Sequence, residues 1–343
     1  MAHTWKRRPL RDACLFLALL VFAGSLTASP QESPDALPAA RTLIQEGKLD
    51  EAIARLEAIA KTEPGRPGLA RELGVAYYRK GEHARAIPHL QRALEENPSD
   101  PEVTQLLGLS YHFTGRMADA IPLLEKVRSW MPSANVNADY VLGLSYIQVK
   151  DFERARRAFA SMYGVPPDSA AAHLFLARML LRQEFDPVAE ENALKAASLD
   201  PRLPGAHFLL GELYVFKSRI PEAIAEFEKE LAINPAQAAT YYKLADAYTR
   251  IQKWDEAQRL LQNSIWLDST ASGPFILLGK VLMKKQEHQL ALRTLQRAIQ
   301  MDPNNFVAHH WLGQALRAVG RNEEAERELR LAQELQSVQS SGR

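Results

Sequence analysis

Residues 204–237 read PGAHFLLGELYVFKSRIPEAIAEFEKELAINPAQ. His207, Leu210, Gly211 and Tyr214 fall at helical spacing and form one largely apolar stripe. Ala223 and Phe227 begin a second stripe after a break around residues 217–220. Pro221 suits the first turn of a second helix, where a missing N–H costs little. Pro235 ends it, because the residue before a proline is pushed out of the α region. The stretch therefore predicts two antiparallel helices.

The same unit recurs along the chain. Ala52, Ala86, Ala120, Ala155, Ala189, Ala223, Ala257, Ala291 and Ala325 stand 34 residues apart, with one step of 35 after Ala120. Take this alanine as position 20 of each unit. Position 8 is then Ala40, Gly74, Gly108, Gly143, Ala177, Gly211, Ala245, Gly279 and Gly313. Position 24 is Leu56, Leu90, Leu124, Phe159, Ala193, Phe227, Leu261, Leu295 and Leu329. Glycine stands at position 15 in Gly47, Gly81, Gly115 and Gly320, where a helix end favours a left-handed residue. Small residues at 8 and 20 allow close approach of the two helices, and larger ones at 24 fill the space around them. One hairpin cannot bury both stripes, so its neighbours must, and the result is a solenoid. Overpacking at Ala223 should therefore destabilise, with Glu226 read as a harmless outer position.

The pattern resembles the tetratricopeptide repeat, carried by Leu210-Gly211-Glu212-Leu213-Tyr214, Ala223, Phe227 and Pro235. The resemblance implies an all-α, right-handed superhelix of antiparallel helix pairs. It predicts nine repeats over 33–339: 33–66, 67–100, 101–134, 136–169, 170–203, 204–237, 238–271, 272–305 and 306–339, with Asn135 inserted. A polar tail, 340–343, follows. There are local departures. Position 4 carries His173, His207 and His309 in place of the family's aromatic residue. Pro88 and Pro122 fall inside second helices and each removes one backbone bond. Ala177 with Ala193 suggests a softer fifth repeat.

Outside the repeats, Lys6, Arg7, Arg8 and Arg11 precede an apolar run from Ala13 to about Leu26. That is the layout of a signal peptide over 1–28, with 29–32 a short linker. The run is shorter than the roughly 20 residues of a spanning helix. The expectation is an exported protein of bacterial type, periplasmic or extracellular. The alternative is an inner-membrane protein held by an uncleaved N-terminal anchor. Cys14, the one cysteine, would leave with the signal. With 42 basic and 41 acidic residues the chain lacks the field that nucleic acid would demand.

The sequence offers little catalytic chemistry. Gly273 to Lys280 resembles a phosphate loop, but its spacing is wrong and Gly279 is simply position 8 of a repeat. His309-His310 hints at a metal, yet position 4 faces helix packing. No cofactor, metal or catalytic residue is expected, and the chain reads as a non-enzyme.

Function should then lie on a surface. The resemblance places first helices on the concave side, with positions 2, 5, 9, 12 and 13 facing the groove. The predicted peptide-binding residues are Tyr78, His112, Phe113, Tyr140, Arg178, Arg182, Phe208, Phe216, Tyr242, Arg250, Lys280, Lys284 and Arg317. Val75, Leu109, Ile147 and Leu174 fall at the same positions. The expected role is a protein-binding scaffold in an envelope assembly or secretion system. Its ligand would be an extended segment, apolar at one end and acidic at the other. The alternative is a regulatory or substrate-recruiting subunit of a glycan- or polysaccharide-handling complex.

Overall fold

The computed structural model describes residues 36–130, 136–182 and 186–341. The segment read as a signal, the linker, Asn135 and the last two residues of the tail lie outside the described residues. Within them the chain is all-α, a superhelical solenoid of eighteen helices arranged as consecutive hairpins. They are α1 (Ala36–Gln45) with α2 (Leu49–Thr62), α3 (Leu69–Arg79) with α4 (His83–Glu96), and α5 (Pro101–Phe113) with α6 (Met117–Trp130). Next come α7 (Val136–Gln148) with α8 (Phe152–Tyr163), α9 (Ala170–Leu181) with α10 (Asp186–Leu199), and α11 (Ala206–Phe216) with α12 (Ile220–Ile233). The array ends with α13 (Ala238–Arg250) and α14 (Trp254–Leu267), α15 (Ser272–Lys284) and α16 (His288–Met301), and α17 (Phe306–Ala318) and α18 (Asn322–Ser341).

Sequence signals mark the helix boundaries. Pro221 sits in the first turn of α12, and Pro187 in that of α10. Asp100, Asp151, Ser169 and Asn305 cap α5, α8, α9 and α17 by accepting from backbone N–H groups of the first turn. Helices α4 and α6 run through Pro88 and Pro122. Gly273 and Gly279 both lie inside α15, with no strand before them, so the phosphate-loop likeness is a coincidence of the repeat.

In eight of the hairpins the described turn takes a left-handed residue. Gly47, Gly81, Gly115 and Gly320 supply it with φ of +78°, +81°, +79° and +84°. Lys150, Ser218, Gln252 and Gln286 occupy the same place at φ of 58–63°. A side chain there costs about 1–2 kcal/mol of backbone strain. Gln286 is exposed and its side chain makes no hydrogen bond among the described residues. Gln286→Gly should therefore stabilise the protein by about 1 kcal/mol, the strain relieved less the extra entropy of an unfolded glycine. Urea melts decide this, with Gln286→Ala giving no gain. A glycine variant that melts no later than the parent would sink the argument.

Positions 8 and 24 meet inside each hairpin. A Cβ built on Gly74 would stand 2.6 Å from Leu90 Cδ2, and one on Gly143 2.6 Å from Phe159 Cε1. Alanine occurs at position 8 only opposite leucine (Ala40/Leu56, Ala245/Leu261) or opposite another alanine (Ala177/Ala193). Phenylalanine occurs only opposite glycine. Ala177 and Ala193 are both fully buried. The short side chains of the fifth hairpin are matched by close packing of α9 on α10, not by an open joint.

The solenoid curves toward its odd-numbered helices. α1 touches α3, α3 touches α5 and α5 touches α7, and the series resumes from α9 through α11, α13 and α15 to α17. Successive even-numbered helices make no comparable contact among the described residues. The odd helices therefore line the inner side.

Candidate functional site

The inner face divides into zones. At the N-terminal end its charges are consumed internally. Glu72, buried on α3, accepts from Arg41 at 2.7 Å and from Arg71 at 3.2 Å. Arg71 also donates to Asp100 at 3.1 Å and pairs with Glu102. Arg79 donates to the Ile44 carbonyl.

Next comes an aromatic cluster. Phe113, 55% exposed, stacks on His83 with ring centres 4.5 Å apart. Tyr78 leans on the other side of His83 at 5.2 Å, and His112 meets Phe113 edge-on. His83 escapes the sequence reading because it starts the second helix, yet it lies between two groove-facing rings. His112 Nδ1 is 2.8 Å from Ser145 Oγ on the next odd helix. Burial pushes the imidazoles of His83 and His112 below their ordinary value. The cluster is thus apolar and uncharged near neutrality.

The sign of the His112 effect is fixed by burial. A depressed folded value means that the unfolded chain takes up the proton first. The stability this ring contributes is present above its unfolded value of about 6.5 and is lost as pH falls below it. Urea midpoints at pH 7.5 and 5.5 should fall further for the parent than for His112→Gln. Equal losses would show that some other group carries the acid sensitivity.

Several residues read as groove-facing turn inward instead. Val75, Leu109, Ile147 and Leu174 are buried between helices. Tyr140 is half-buried against Phe159, with ring centres 6.3 Å apart. Phe208 is half-buried against Phe227 at 5.9 Å. Bulky side chains at position 5 are long enough to reach the packing between hairpins, which spacing alone does not reveal. Tyr242 is half-buried beside Gly273.

Phe216 stays out, 70% exposed at the end of α11. It borders a hollow of about 400 Å³ with Glu212, Val215, Lys243, Asp246 and Arg250. The charges around this hollow cancel in pairs. Lys243 Nζ is 2.8 Å from Glu212 Oε1, and Arg250 Nε is 2.9 Å from Asp246 Oδ2. Arg250, predicted to face the ligand, is thus already engaged by a carboxylate of its own helix. Lys243 was missed, since it falls outside the groove positions of the repeat.

The remaining cations are different. Arg178, Arg182, Lys280, Lys284 and Arg317 have no ion pair or hydrogen-bonding carboxylate among the described residues. Arg178, Arg182, Lys284 and Arg317 are exposed, and Arg178 lies across Gly205. Lys280 is half-buried in a hollow of about 320 Å³ with Tyr242, Ile276, Leu277, Val307 and Trp311.

The position-4 histidines belong to the packing. His207 Nδ1 is 2.5 Å from Glu226 Oε2, and its Nε2 faces the Pro201 carbonyl at 3.3 Å. His309 repeats the arrangement with Glu328 at 2.5 Å and Pro303 at 2.9 Å. His173 Nδ1 is 2.9 Å from Asn192 Oδ1. Each of these histidines ties its first helix to the second, and His207 and His309 also reach the preceding turn. Glu226 is thus no harmless outer residue, and exposed Ala225 on the same helix is the proper comparison for Ala223. No group of three or more His, Cys, Asp or Glu among the described residues is placed to hold a metal ion. No described helix is long and apolar enough to cross a membrane.

Comparison with known families agrees with this architecture. Models described as tetratricopeptide repeat match residues 43–110, 140–204 and 240–274, and one described as TPR repeat matches 279–325. The chain belongs to the tetratricopeptide repeat proteins. A comparison with curated proteins returns no match. Among solved structures, Pseudomonas aeruginosa pilF is 20% identical with a TM-score of 0.48, over 60% of this chain and 97% of that one. MamA (41-end) from Desulfovibrio magneticus RS-1 is 18% identical with a TM-score of 0.47, over 50% and 97%. Yeast Tom70 is 16% identical with a TM-score of 0.44, over 88% and 75%. Likenesses of this degree carry no statement about function.

Proposed function

We propose that this protein is a non-catalytic scaffold that holds an extended polypeptide segment along its odd-helix face. The observation that carries the reading is the set of five basic side chains without partners, Arg178, Arg182, Lys280, Lys284 and Arg317, on the face where Phe113 and Phe216 also stand exposed. Aromatic residues and arginine dominate binding energy at protein interfaces, and apolar surface left exposed marks interaction sites. A catalytic centre would call for converging titratable groups, whereas Glu72, Glu212 and Asp246 on this face are each spent on an ion pair.

The reading includes export to an envelope compartment, where the scaffold serves an assembly or secretion system. The basic residues and apolar run at the N-terminus support it. N-terminal sequencing of the native protein should find a start between residues 24 and 31, and intact Met1 in a membrane pellet would favour the anchored form.

Site-specific photo-crosslinking tests the surface in the native host. A photoreactive residue at Phe216 or Lys284 should give partner adducts, while one at Ala225 or Arg259 on even helices should not. Adducts confined to the even-helix positions would move the site to the outer side.

A further inference from the structure

We infer that the odd-helix face selects a polypeptide bearing two acidic clusters separated by about seven to nine residues with an apolar side chain between them. This deepens the scaffold reading and rests on it.

The five cations with no carboxylate partner among the described residues are grouped, not spread. Arg178 lies in the last turn of α9 and Arg182 caps its C-terminus one turn on, and Lys280 and Lys284 stand one turn apart on α15. Arg317 is on α17, which packs directly on α15. Like charges four residues apart oppose helix formation, and neither pair has a carboxylate to offset it among the described residues.

The interval between the groups is electrically quiet. On α11 and α13 the inner charges close on each other, Glu212 with Lys243 and Asp246 with Arg250. Phe216 stands exposed at the hollow beside them. The face thus reads basic, then neutral with an aromatic, then basic. Its complement is a chain that reads acidic, apolar, acidic.

That order argues for polypeptide over a uniform polyanion. A nucleic acid carries one charge at every step along its backbone. It would lay phosphates against Glu212 and Asp246 as well as against the basic groups. A polypeptide can leave its middle uncharged.

The spacing follows from the solenoid. From α9 to α15 there are three steps between odd helices. At about 8–10 Å per packed helix pair this spans roughly 24–30 Å. An extended chain rising about 3.3 Å per residue crosses it in about seven to nine residues.

The test uses the purified full chain and fluorescein-labelled synthetic peptides, read by anisotropy at low ionic strength. One peptide carries two Glu-Glu-Glu clusters joined by nine residues with a central Leu. Others carry one cluster alone, or both with a three-residue joint. The nine-residue form should bind at least tenfold tighter than either comparison, because the second cluster then engages intramolecularly. Arg178→Ala with Arg182→Ala, and separately Lys280→Ala with Lys284→Ala, should each remove that gain. These side chains are solvent-facing or at a hollow's rim, and an unchanged melt confirms that the fold is intact. Charge reversal to Glu at the same sites should weaken binding further.

Equal affinity for one-cluster and two-cluster peptides would overturn the inference, as would a gain that survives both double variants. Tighter binding of an oligothymidylate of matching length would overturn it in favour of a nucleic acid. If Phe216 and Lys284 still crosslink to a native partner while the two-cluster peptide shows no gain, the groove stands and the two-cluster recognition fails.

Discussion

Phe227→Ala should lower the unfolding free energy by about 3–5 kcal/mol, the usual loss for emptying the site of a buried aromatic. Phe227 is fully buried on α12, and a Cβ on Gly211 would meet its Cε1 at 2.5 Å. The ring lies over the bare backbone of α11, so Gly211 is a steric requirement at this crossing. Gly211→Ala alone should cost about 1–3 kcal/mol, because added volume in a closed core forces side chains off their rotamers. Combined with Phe227→Leu it should cost less than the two changes summed. The natural pairs Ala40/Leu56 and Ala245/Leu261 already combine alanine with leucine at these two positions. Residues in contact commonly couple by about 0.5–3 kcal/mol in such cycles. Urea melts of the four proteins measure it. Because an array of hairpins need not unfold as one unit, hydrogen exchange at α11 and α12 should accompany the melts. Strict additivity would show that positions 8 and 24 do not share one packing space.

That pairing is legible in the sequence alone. A residue that is always small at one beat, opposite one that is nearly always large at another, describes a close helix crossing. Gly47, Gly81, Gly115 and Gly320 located the hairpin turns in the same way, and Pro187 and Pro221 the first turns of α10 and α12. These features lie within one repeat, where helical geometry fixes which side chains meet. The inner surface was less legible. Phe216 and Lys284 stand exposed on odd helices as their positions imply, whereas Arg250, given the same groove role by its position, is held by Asp246. Partner choice by a long charged side chain depends on rotamers and on neighbours that periodicity does not order. Glu226 was misplaced for a related reason. Its face of α12 looks outward in the repeat, yet His207 reaches over to it from α11.

The second large effect sits at a residue that breaks the pattern of its own position. Position 27 is Ile59, Ala93, Val127, Met162, Ala196, Ala298 and Ala332 in seven hairpins, but Glu230 and Ser264 in the sixth and seventh. Glu230 is fully buried. Its two oxygens accept from Gly205 N at 2.8 and 3.0 Å, and one also accepts from Phe208 N at 3.2 Å. Gly205 is the left-handed N-cap of α11, and no side chain of its own satisfies the first-turn amides there. The carboxylate of the second helix therefore caps the first from across the hairpin, with the positive end of the α11 dipole favouring its charge. Glu230→Ala should destabilise by about 3 kcal/mol, since each buried amide left without an acceptor costs roughly 1–3 kcal/mol. Glu230→Gln keeps an acceptor oxygen and loses only the charge, so it should cost less. The loss should appear first as faster hydrogen exchange at Gly205 and Phe208. Glu230 thus fixes the start of the helix that presents Phe216. If Glu230→Ala melts like the parent and exchange at Gly205 and Phe208 is unchanged, water or a neighbouring group must already serve those amides, and the cross-hairpin cap is not what holds α11 in place.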